Sequence, residues 1–420
     1  MKKFLIIIGI LFLMFCGFVV YDMYFKEKIP VLTVEEEKVN VSELYIYGTH
    51  LNMKGSYNFL DTAELVLYNG EFISYKINSL DGNFSLSELI NDGIYLDDIP
   101  VGEYYLFLRT KYIEDDLEKY RYYVLVNNTD YQETTYYSMS NYNKKIVIDN
   151  ESSYPTMMMH VTDNKDDNIY DIVLDPGHGG RDGGASNNGY KETDFTMNIA
   201  TKVKSRLEEY GFRVKLTHEE GQISSTEKLE EYGSNGRAVV PREVNAKYLF
   251  SIHLNSSNSS SVSGLEIYTA KNINYDLAKN LVNNITTITG LGYSNNKINK
   301  VADSIYSRNF TQKDIDSSMR EYQDKNLIPY EITTNTNYYY MIRETGGIIT
   351  GAYVDDRNNE ILANPYVKSN VGTESYILEL GYLSNMNDLN NVINNIDKYA
   401  LGIAVSIKSL YDEKAISKVS

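Results

Sequence analysis

The chain has 420 residues, enough for about two or three domains, and its 42% apolar and 23% charged residues are those of an ordinary globular protein. It carries 40 lysines and arginines against 57 aspartates and glutamates. Because a phosphate backbone requires a basic binding face, this balance excludes nucleic acid as an expected partner. A well-solvated surface is the simplest explanation of the acidity.

The N-terminus has the pattern of a membrane anchor. Lys2 and Lys3 precede an uncharged apolar run from Phe4 to about Val20, roughly the minimum for a bilayer-spanning helix. The two lysines predict that this end lies inside and the rest of the chain outside. We therefore predict an uncleaved anchor over residues 1–28 in a single-pass protein of the cell membrane. The alternative is a secreted protein with a cleaved signal, but "YDMYFKEK" offers no small residues for cleavage.

Cysteine usage limits the chemistry of the exported part. Cys16 is the only cysteine, and it lies within the apolar run. The rest of the chain therefore has neither disulfides nor thiolate ligands. Any metal site outside the membrane must use His, Asp and Glu.

The next segment predicts an all-β domain. After an acidic spacer over 29–40, residues 41–150 contain β-branched and aromatic runs of period two, separated by Gly, Asn and Asp. Short strands at regular spacing indicate a β-sandwich, immunoglobulin-like or prealbumin-like. An aromatic carbohydrate-binding face is one interpretation of its many tyrosines, although tyrosine is also a good strand former. Residues 151–169 are polar and predict a linker.

From residue 170 the pattern changes to alternating strands and helices. Apolar strands such as "DIVLD" and "KYLFSIHLN" alternate with helical spacing, as in Phe195, Ile199, Val203 and Leu207. This alternation predicts an α/β domain over 170–413, with a sheet covered on both faces. Residues 414–420 form a tail.

Four side chains with reactive chemistry occur at the ends of these strands. His178 lies in "IVLDPGHGGRDGG", His253 ends "YLFSIH", Glu379 lies in "YILEL", and Glu192 begins the first helix. Ligand sites of open α/β sheets gather at the carboxyl ends of strands. We therefore expect two imidazoles and two carboxylates at one edge of the sheet.

These four residues match the requirements of a zinc hydrolase. His178, Glu192 and His253 supply a set of two His and one carboxylate, which suits zinc. Glu379 remains for proton transfer, and its leucine neighbours are expected to raise its pKa. The glycines around His178 are interpreted as an open floor for an extended polymer.

Each residue also has an ordinary structural explanation. A single His at a strand end is commonly a satisfied polar residue, and the helix dipole favours Glu192 without any metal. Glu379 could be the buried partner of an arginine such as Arg343. The co-occurrence of all four with the glycine run favours the metal site. A Walker loop, a lipase nucleophile elbow and an H-E-x-x-H motif are all missing from the sequence.

Four ordered motifs resemble a known family: "IVLDPGHGGRDGGAS", "NAKYLFSIHLNSS", "GLEIYTA" and "ESYILELGYLSN". They are similar to the zinc-dependent N-acetylmuramoyl-L-alanine amidases of bacterial peptidoglycan, amidase type 3, over roughly 170 to 412. The resemblance implies a mixed-sheet αβα sandwich, one zinc ion, and cleavage of the amide between the N-acetylmuramic lactyl group and L-alanine. By position it implies that His178, Glu192 and His253 are zinc ligands and that Glu379 is the catalytic glutamate.

The sequence also departs from the family pattern. His218, in "KLTHEE", stands where the family usually has a basic residue after threonine, and we do not expect it to be a ligand. The stretch 271–370 is longer than a minimal domain needs and is expected to shape substrate choice or act as a lid. Arg343 and Asn255 are predicted to contact substrate.

We therefore expect an amidase of the cell wall, tethered to the membrane with its catalytic domain outside. One alternative is a zinc peptidase that cleaves within the stem peptide. A second alternative is a non-catalytic surface protein that binds the cell wall through its β domain.

Overall fold

The structure is a computed structural model. It describes residues 34–58, 63–149, 155–166, 168–231, 235–324, 331–351 and 364–416.

The predicted membrane localisation needs a correction. In the part of the chain that the structure describes, no helix is long and apolar enough to cross a bilayer. The longest of these helices, Met386–Ile416, carries charges along its length, among them Asp388, Asp397 and Lys408. This finding contradicts the predicted single-pass membrane localisation, which was wrong. The segment that carried the prediction, residues 1–28, lies outside the described residues.

The elements are numbered here in chain order. The strands are β1 Val39–Tyr47, β2 His50–Ser56, β3 Ala63–Tyr68, β4 Phe72–Lys76, β5 Asn78–Leu80, β6 Asn83–Ser85, β7 Ile94–Tyr95, β8 Gly102–Glu114, β9 Leu117–Asn127, β10 Glu133–Tyr137, β11 Lys144–Asp149, β12 Met158–Asp163, β13 Ile172–Pro176, β14 Ser186–Asn187, β15 Tyr190–Lys191, β16 Val214–Leu216, β17 Tyr248–Asn255, β18 Glu266–Tyr268, β19 Lys300–Ala302, β20 Ile305–Tyr306, β21 Val371–Gly372 and β22 Glu374–Tyr382. The helices are α1 Thr193–Glu209, α2 Val240–Glu243, α3 Asp276–Thr289, α4 Gln312–Asp324, α5 Tyr340–Thr345 and α6 Met386–Ile416, with 3₁₀ turns at Leu96–Asp98 and Gly347–Ile349.

The C-terminal part is built on a seven-stranded mixed sheet in the order β16-β13-β17-β22-β18-β20-β19. Strands β16, β13, β17 and β22 are parallel, and β18 is antiparallel to β22. One face packs against helices α1, α3 and α6 in a single apolar core. The other face packs Val173 and Leu249 against Val240 of α2 and Met341 of α5. This is the predicted α/β arrangement, with helices on both faces of the sheet.

The sequence explains which side of α1 is buried and where α6 bends. The predicted residues Phe195, Ile199, Val203 and Leu207 are all buried on one side of α1. Helix α6 kinks at Asn395, whose backbone leaves the helical region. The Nδ2 of Asn395 donates to the carbonyl oxygen of Asn391 at 2.8 Å, and such competition with the helical ladder is a known cause of kinks.

The N-terminal part is rich in β structure, as predicted. Strands β1 and β2 pack residues such as Leu44 and Met53 against Leu65 of β3, Leu108 of β8 and Ile146 of β11 in one core. The two layers of strands are joined at one corner, where β1 pairs in parallel with the end of β9. The packing is that of a sandwich of two sheets.

The predicted linker over 151–169 contains a strand. Residues Met158–Asp163 form β12, which pairs with β11 on one side and β8 on the other. Met159 and Val161 are buried in the sandwich core. The adjacent polar sequence "TDNKDDN" obscured this short alternation.

The β sandwich lies against the edge of the seven-stranded sheet where the parallel strands begin. Ser140 donates from its N and Oγ to the carboxylate of Asp171, just before β13, at 2.7 and 2.6 Å. Asn91 Nδ2 donates to Oε1 of Glu374, the first residue of β22, at 2.8 Å. Strand β21 pairs with β1 and leads directly into β22. In the described ranges, these contacts of the sandwich all lie at the edge opposite to the one where the parallel strands end.

The stretch 271–370 was expected to be an insertion that acts on substrate. Its described residues include α3, whose Leu281 and Ile285 lie in the core, and β20, which belongs to the seven-stranded sheet. Much of the extra length is therefore part of the fold itself. A role in substrate choice stays a prediction.

Candidate active site

Three predicted ligands meet at the carboxyl edge of the parallel strands. His178 follows β13 by two residues, His253 lies near the end of β17, and Glu192 immediately precedes α1. One potential ligand atom from each residue lies within 4.8 Å of the others. The Oε2 of Glu192 is 3.1 Å from His178 Nε2, and its Oε1 is 2.8 Å from His253 Nδ1. One carboxylate thus faces both imidazoles.

The glycines near His178 make room for these side chains. A Cβ on Gly177 would lie 2.5 Å from Nδ1 of His253, and a Cβ on Gly184 would lie 2.6 Å from Oε2 of Glu192. Gly184 also has φ +66°, which favours glycine. The glycines therefore serve the close packing of the site, rather than the open floor that we expected.

His178 has an unusual backbone for its residue type. Its φ is +63°, in the left-handed region, which costs a non-glycine residue about 1 kcal/mol or more. Its Nδ1 bonds to Oδ2 of Asp182 at 2.8 Å, four residues along the chain. The tight turn between them orients the imidazole towards Glu192.

Charge and burial act in opposite directions on these groups. Burial alone would raise the pKa of Glu192, but hydrogen bonds from His178 and His253 hold its pKa below the usual range. Burial lowers the pKa of His178, yet Glu192 and Asp182 raise it more, so its pKa is above the usual value. Glu192 is therefore ionised at neutral pH, although its side chain is only 4% exposed.

Glu379 lies beside this group on β22, opposed to His253 of β17 on one side and to Glu266 of β18 on the other. Burial, and then the negative charges of Glu192 and Glu266, raise its pKa well above the usual value. Its Oε2 is buried and has no hydrogen-bond partner among the described residues. A buried carboxyl oxygen without a partner is costly, and such a group is typical of a functional site.

The donor set fits a zinc ion. Two imidazole nitrogens and one carboxylate oxygen are ligands that zinc prefers in hydrolases, and such sites leave the fourth position for water or substrate. The three donor atoms are close enough to bind one ion, and Glu192 is ionised, as a carboxylate ligand of zinc must be.

Two buried carboxylates at the site were not predicted from sequence. Glu266 is fully buried and accepts from Ser294, Tyr382, Asn255 and Tyr268. Asp175, also fully buried, forms two bonds with Arg237 at 2.8 and 2.6 Å. The signal was present in each case, because an acidic residue interrupts an apolar strand in "GLEIYTA" and in "DIVLD".

The other predicted site residues have different surroundings. Arg343 donates to Glu344 Oε1 at 2.9 Å and to backbone oxygens, so it is not the buried partner of Glu379. Asn255 donates to Glu266 Oε2 at 2.9 Å. Substrate contact by either residue stays a prediction. His218 is buried beside Thr217, and it does not belong to the three-residue cluster.

Comparison with known proteins identifies the class of enzyme. Residues 172–409 match the family model for N-acetylmuramoyl-L-alanine amidase. This match spans more than half of the chain, and the chain belongs to that family of peptidoglycan amidases. The resemblance in the motifs is thereby confirmed, and the protein is an enzyme rather than a non-catalytic surface protein.

The chain is also similar to individual proteins that are named as amidases. A putative N-acetylmuramoyl-L-alanine amidase of Buchnera aphidicola is 23% identical over 256 residues, which cover 59% of this chain and 99% of that protein. The probable cell wall amidase LytH of Staphylococcus aureus is 36% identical over 100 residues, 23% of this chain and 30% of LytH. Among solved structures, the catalytic domain of CwlV from Bacillus (Paenibacillus) polymyxa var. colistinus is 22% identical, with a TM-score of 0.36, covering 58% of this chain and 99% of that chain.

Proposed function

We propose that the protein is a zinc-dependent hydrolase that cleaves the amide between the lactyl group of N-acetylmuramic acid and L-alanine of the stem peptide in peptidoglycan. The observation that carries this proposal is the convergence of His178, Glu192 and His253 within 4.8 Å, with Glu379 on the next strand. The family match and the name of the Buchnera aphidicola relative support the choice of bond.

The chain's own residues have distinct roles in this proposal. His178, Glu192 and His253 hold the ion. A bound zinc ion supplies Lewis acidity, which polarises the scissile carbonyl and makes water a better nucleophile at neutral pH. Glu379 accepts a proton from the attacking water and delivers it to the nitrogen of the leaving alanine. Its raised pKa makes its carboxylate a stronger base than an exposed glutamate.

The open edge of the sheet suits a polymeric substrate. The β sandwich contacts the chain near Asp171 and Glu374, where the parallel strands begin. The site lies where these strands end, so the sandwich does not obstruct a glycan strand approaching the metal.

A digest of purified peptidoglycan followed by mass spectrometry tests this function. We expect glycan strands without peptide, together with stem peptides that begin with a free L-alanine. A chelator is expected to abolish the reaction and added zinc to restore it. Products cut between residues of the stem peptide would instead identify a zinc peptidase, and full activity with chelator present would remove zinc from the proposal.

A further inference from the structure

A buried hydrogen-bond chain lies behind His253 and connects its imidazole through Ser251 to Asp175. The Nε2 of His253 lies 3.0 Å from Ser251 Oγ, and its Nδ1 lies 2.8 Å from Glu192 Oε1. Ser251 and His253 are two residues apart on β17, so their side chains share one face of the strand. Ser251 is also directly opposed to Asp175 of β13.

The direction of each hydrogen bond follows from the chemistry of Asp175. Its carboxylate binds the guanidinium of Arg237 through both oxygens and accepts from Thr217 Oγ1 at 2.7 Å. An ionised carboxylate only accepts, so the hydroxyl proton of Ser251 points to Asp175 Oδ2, 2.6 Å away. Ser251 Oγ is then left as an acceptor towards the imidazole, so Nε2 of His253 carries a proton. The proton that Nδ1 otherwise shares with the ionised Glu192 is the one that a bound ion would displace.

We propose that Ser251 and Asp175 are positioning residues that hold His253 in the tautomer protonated on Nε2, so that Nδ1 coordinates the metal. The inference rests on the metal site of the proposed function. Hydrogen bonds of this kind to the second ring nitrogen fix the tautomer and orientation of metal-binding histidines.

The two imidazoles consequently use opposite nitrogens. His178 bonds through Nδ1 to Asp182, which leaves Nε2 towards Glu192. His253 bonds through Nε2 to Ser251, which leaves Nδ1 towards the other oxygen of Glu192. The supports also differ in exposure: Asp182 has a side chain that is 63% exposed, whereas Ser251 and Asp175 are fully buried. The orientation of His253 is therefore fixed by the sheet itself.

Zinc affinity of the metal-free full chain tests the role of Ser251. We expect Ser251→Ala to weaken zinc binding by about 10- to 100-fold, measured by competition with a chromophoric chelator. The matched control is Ser375→Ala, which removes a buried hydroxyl from β22 that bonds to Thr345 at 2.6 Å at the other end of the sheet. The control is expected to bind zinc as the wild type does. Circular dichroism and the thermal midpoint of each metal-free variant verify folding.

The tautomer of His253 can also be measured directly, without any substitution at Ser251. The chain has five histidines, so ¹⁵N-histidine spectra of the zinc-loaded wild type are simple to assign by substituting His50, His160 and His218. We expect a proton on Nε2 of His253 and on Nδ1 of His178. A proton on Nδ1 of His253, or unchanged zinc affinity in Ser251→Ala, would overturn the inference. A wild-type protein that binds no zinc would overturn the metal site of the proposed function as well.

Discussion

His253 of β17 and Glu379 of β22 are directly opposed on neighbouring parallel strands. Because backbone pairing fixes this register, the side chain that we propose for proton transfer stands next to a proposed zinc ligand without any loop between them. On the other side of β22, Glu266 of β18 opposes Glu379. The three strands thus carry a row of one imidazole and two carboxylates across the sheet, and Glu266 in this row adds to the negative charge that Glu192 places near Glu379.

A substitution at Glu379 is expected to reduce turnover without changing zinc affinity. Glu379→Gln keeps the size of the side chain but cannot accept the proton, so we expect turnover of peptidoglycan to fall by about 10²- to 10⁴-fold. Zinc affinity is expected to stay that of the wild type, because Glu379 is outside the three-residue cluster. Dye release from labelled peptidoglycan and zinc competition measure the two properties.

The comparison variant for this experiment is Glu192→Gln. It removes the charge that faces both imidazoles, so zinc affinity and turnover are expected to be lost together. Turnover near the wild-type level in Glu379→Gln would exclude that residue from proton transfer.

The pH dependence of hydrolysis tests how neighbouring charges change the pKa of Glu379. Its raised pKa results from burial first and then from Glu192 and Glu266. A base must be ionised, so the rate rises as pH increases through this pKa. Glu266→Gln removes one negative charge, which lowers the pKa of Glu379, and we expect the acidic limb of the kcat/KM profile to move to lower pH.

Tyr382→Phe is the matched control for Glu266. It removes a hydrogen bond of 2.7 Å to Glu266 Oε1 but leaves the charge in place. We expect its acidic limb not to move to lower pH. If Glu266→Gln and the wild type share one profile, the charge of Glu266 has no influence on Glu379.

Gly177 tests the packing around the imidazole of His253. A Cβ at this position would lie 2.5 Å from Nδ1 and Cε1 of that ring, so Gly177→Ala must displace it. We expect zinc affinity to fall by about tenfold or more, since misplaced ligands lose coordination. Gly292→Ala is the control, because a Cβ there meets nothing within 4 Å and should leave affinity intact. Equal zinc affinity in the two variants would contradict this account of the glycine run.

The sequence was sufficient to predict that His178, Glu192, His253 and Glu379 lie at one edge. Parallel strands bring their ends together, so strand position predicts the proximity of His178, His253 and Glu379, and Glu192 is close to His178 in the sequence. The structure brings the first three within 4.8 Å; their roles as ligands, and that of Glu379 as the base, stay predictions.

Other features depend on contacts that no local pattern contains. The pairing of β1 with β21 joins residues 46 and 371, and the bond of Ser251 to Asp175 depends on the register of two strands. Local periodicity carries neither piece of information. The strand β12 was missed for a different reason, because six residues flanked by polar sequence give a weak signal.

The contact between the β sandwich and the seven-stranded sheet is expected to contribute to the stability of the chain. A Cβ on Gly48 would lie 2.8 Å from Oε2 of Glu374, whose carboxylate also accepts from Asn91 and Tyr376. Gly48→Ala therefore combines the strain of φ +61° with overpacking in a buried polar contact, and we expect a loss of about 1–3 kcal/mol beyond the strain. Gly221→Ala isolates the strain, because its φ is +72° and nothing lies within 4 Å of its Cβ. Denaturant unfolding of the full chain compares the two variants.

Because β21 pairs with β1 and continues into β22, we expect both parts of the chain to unfold in one transition. Equal stabilities, or a separate early transition of the β sandwich, would show that this contact does not couple the two parts.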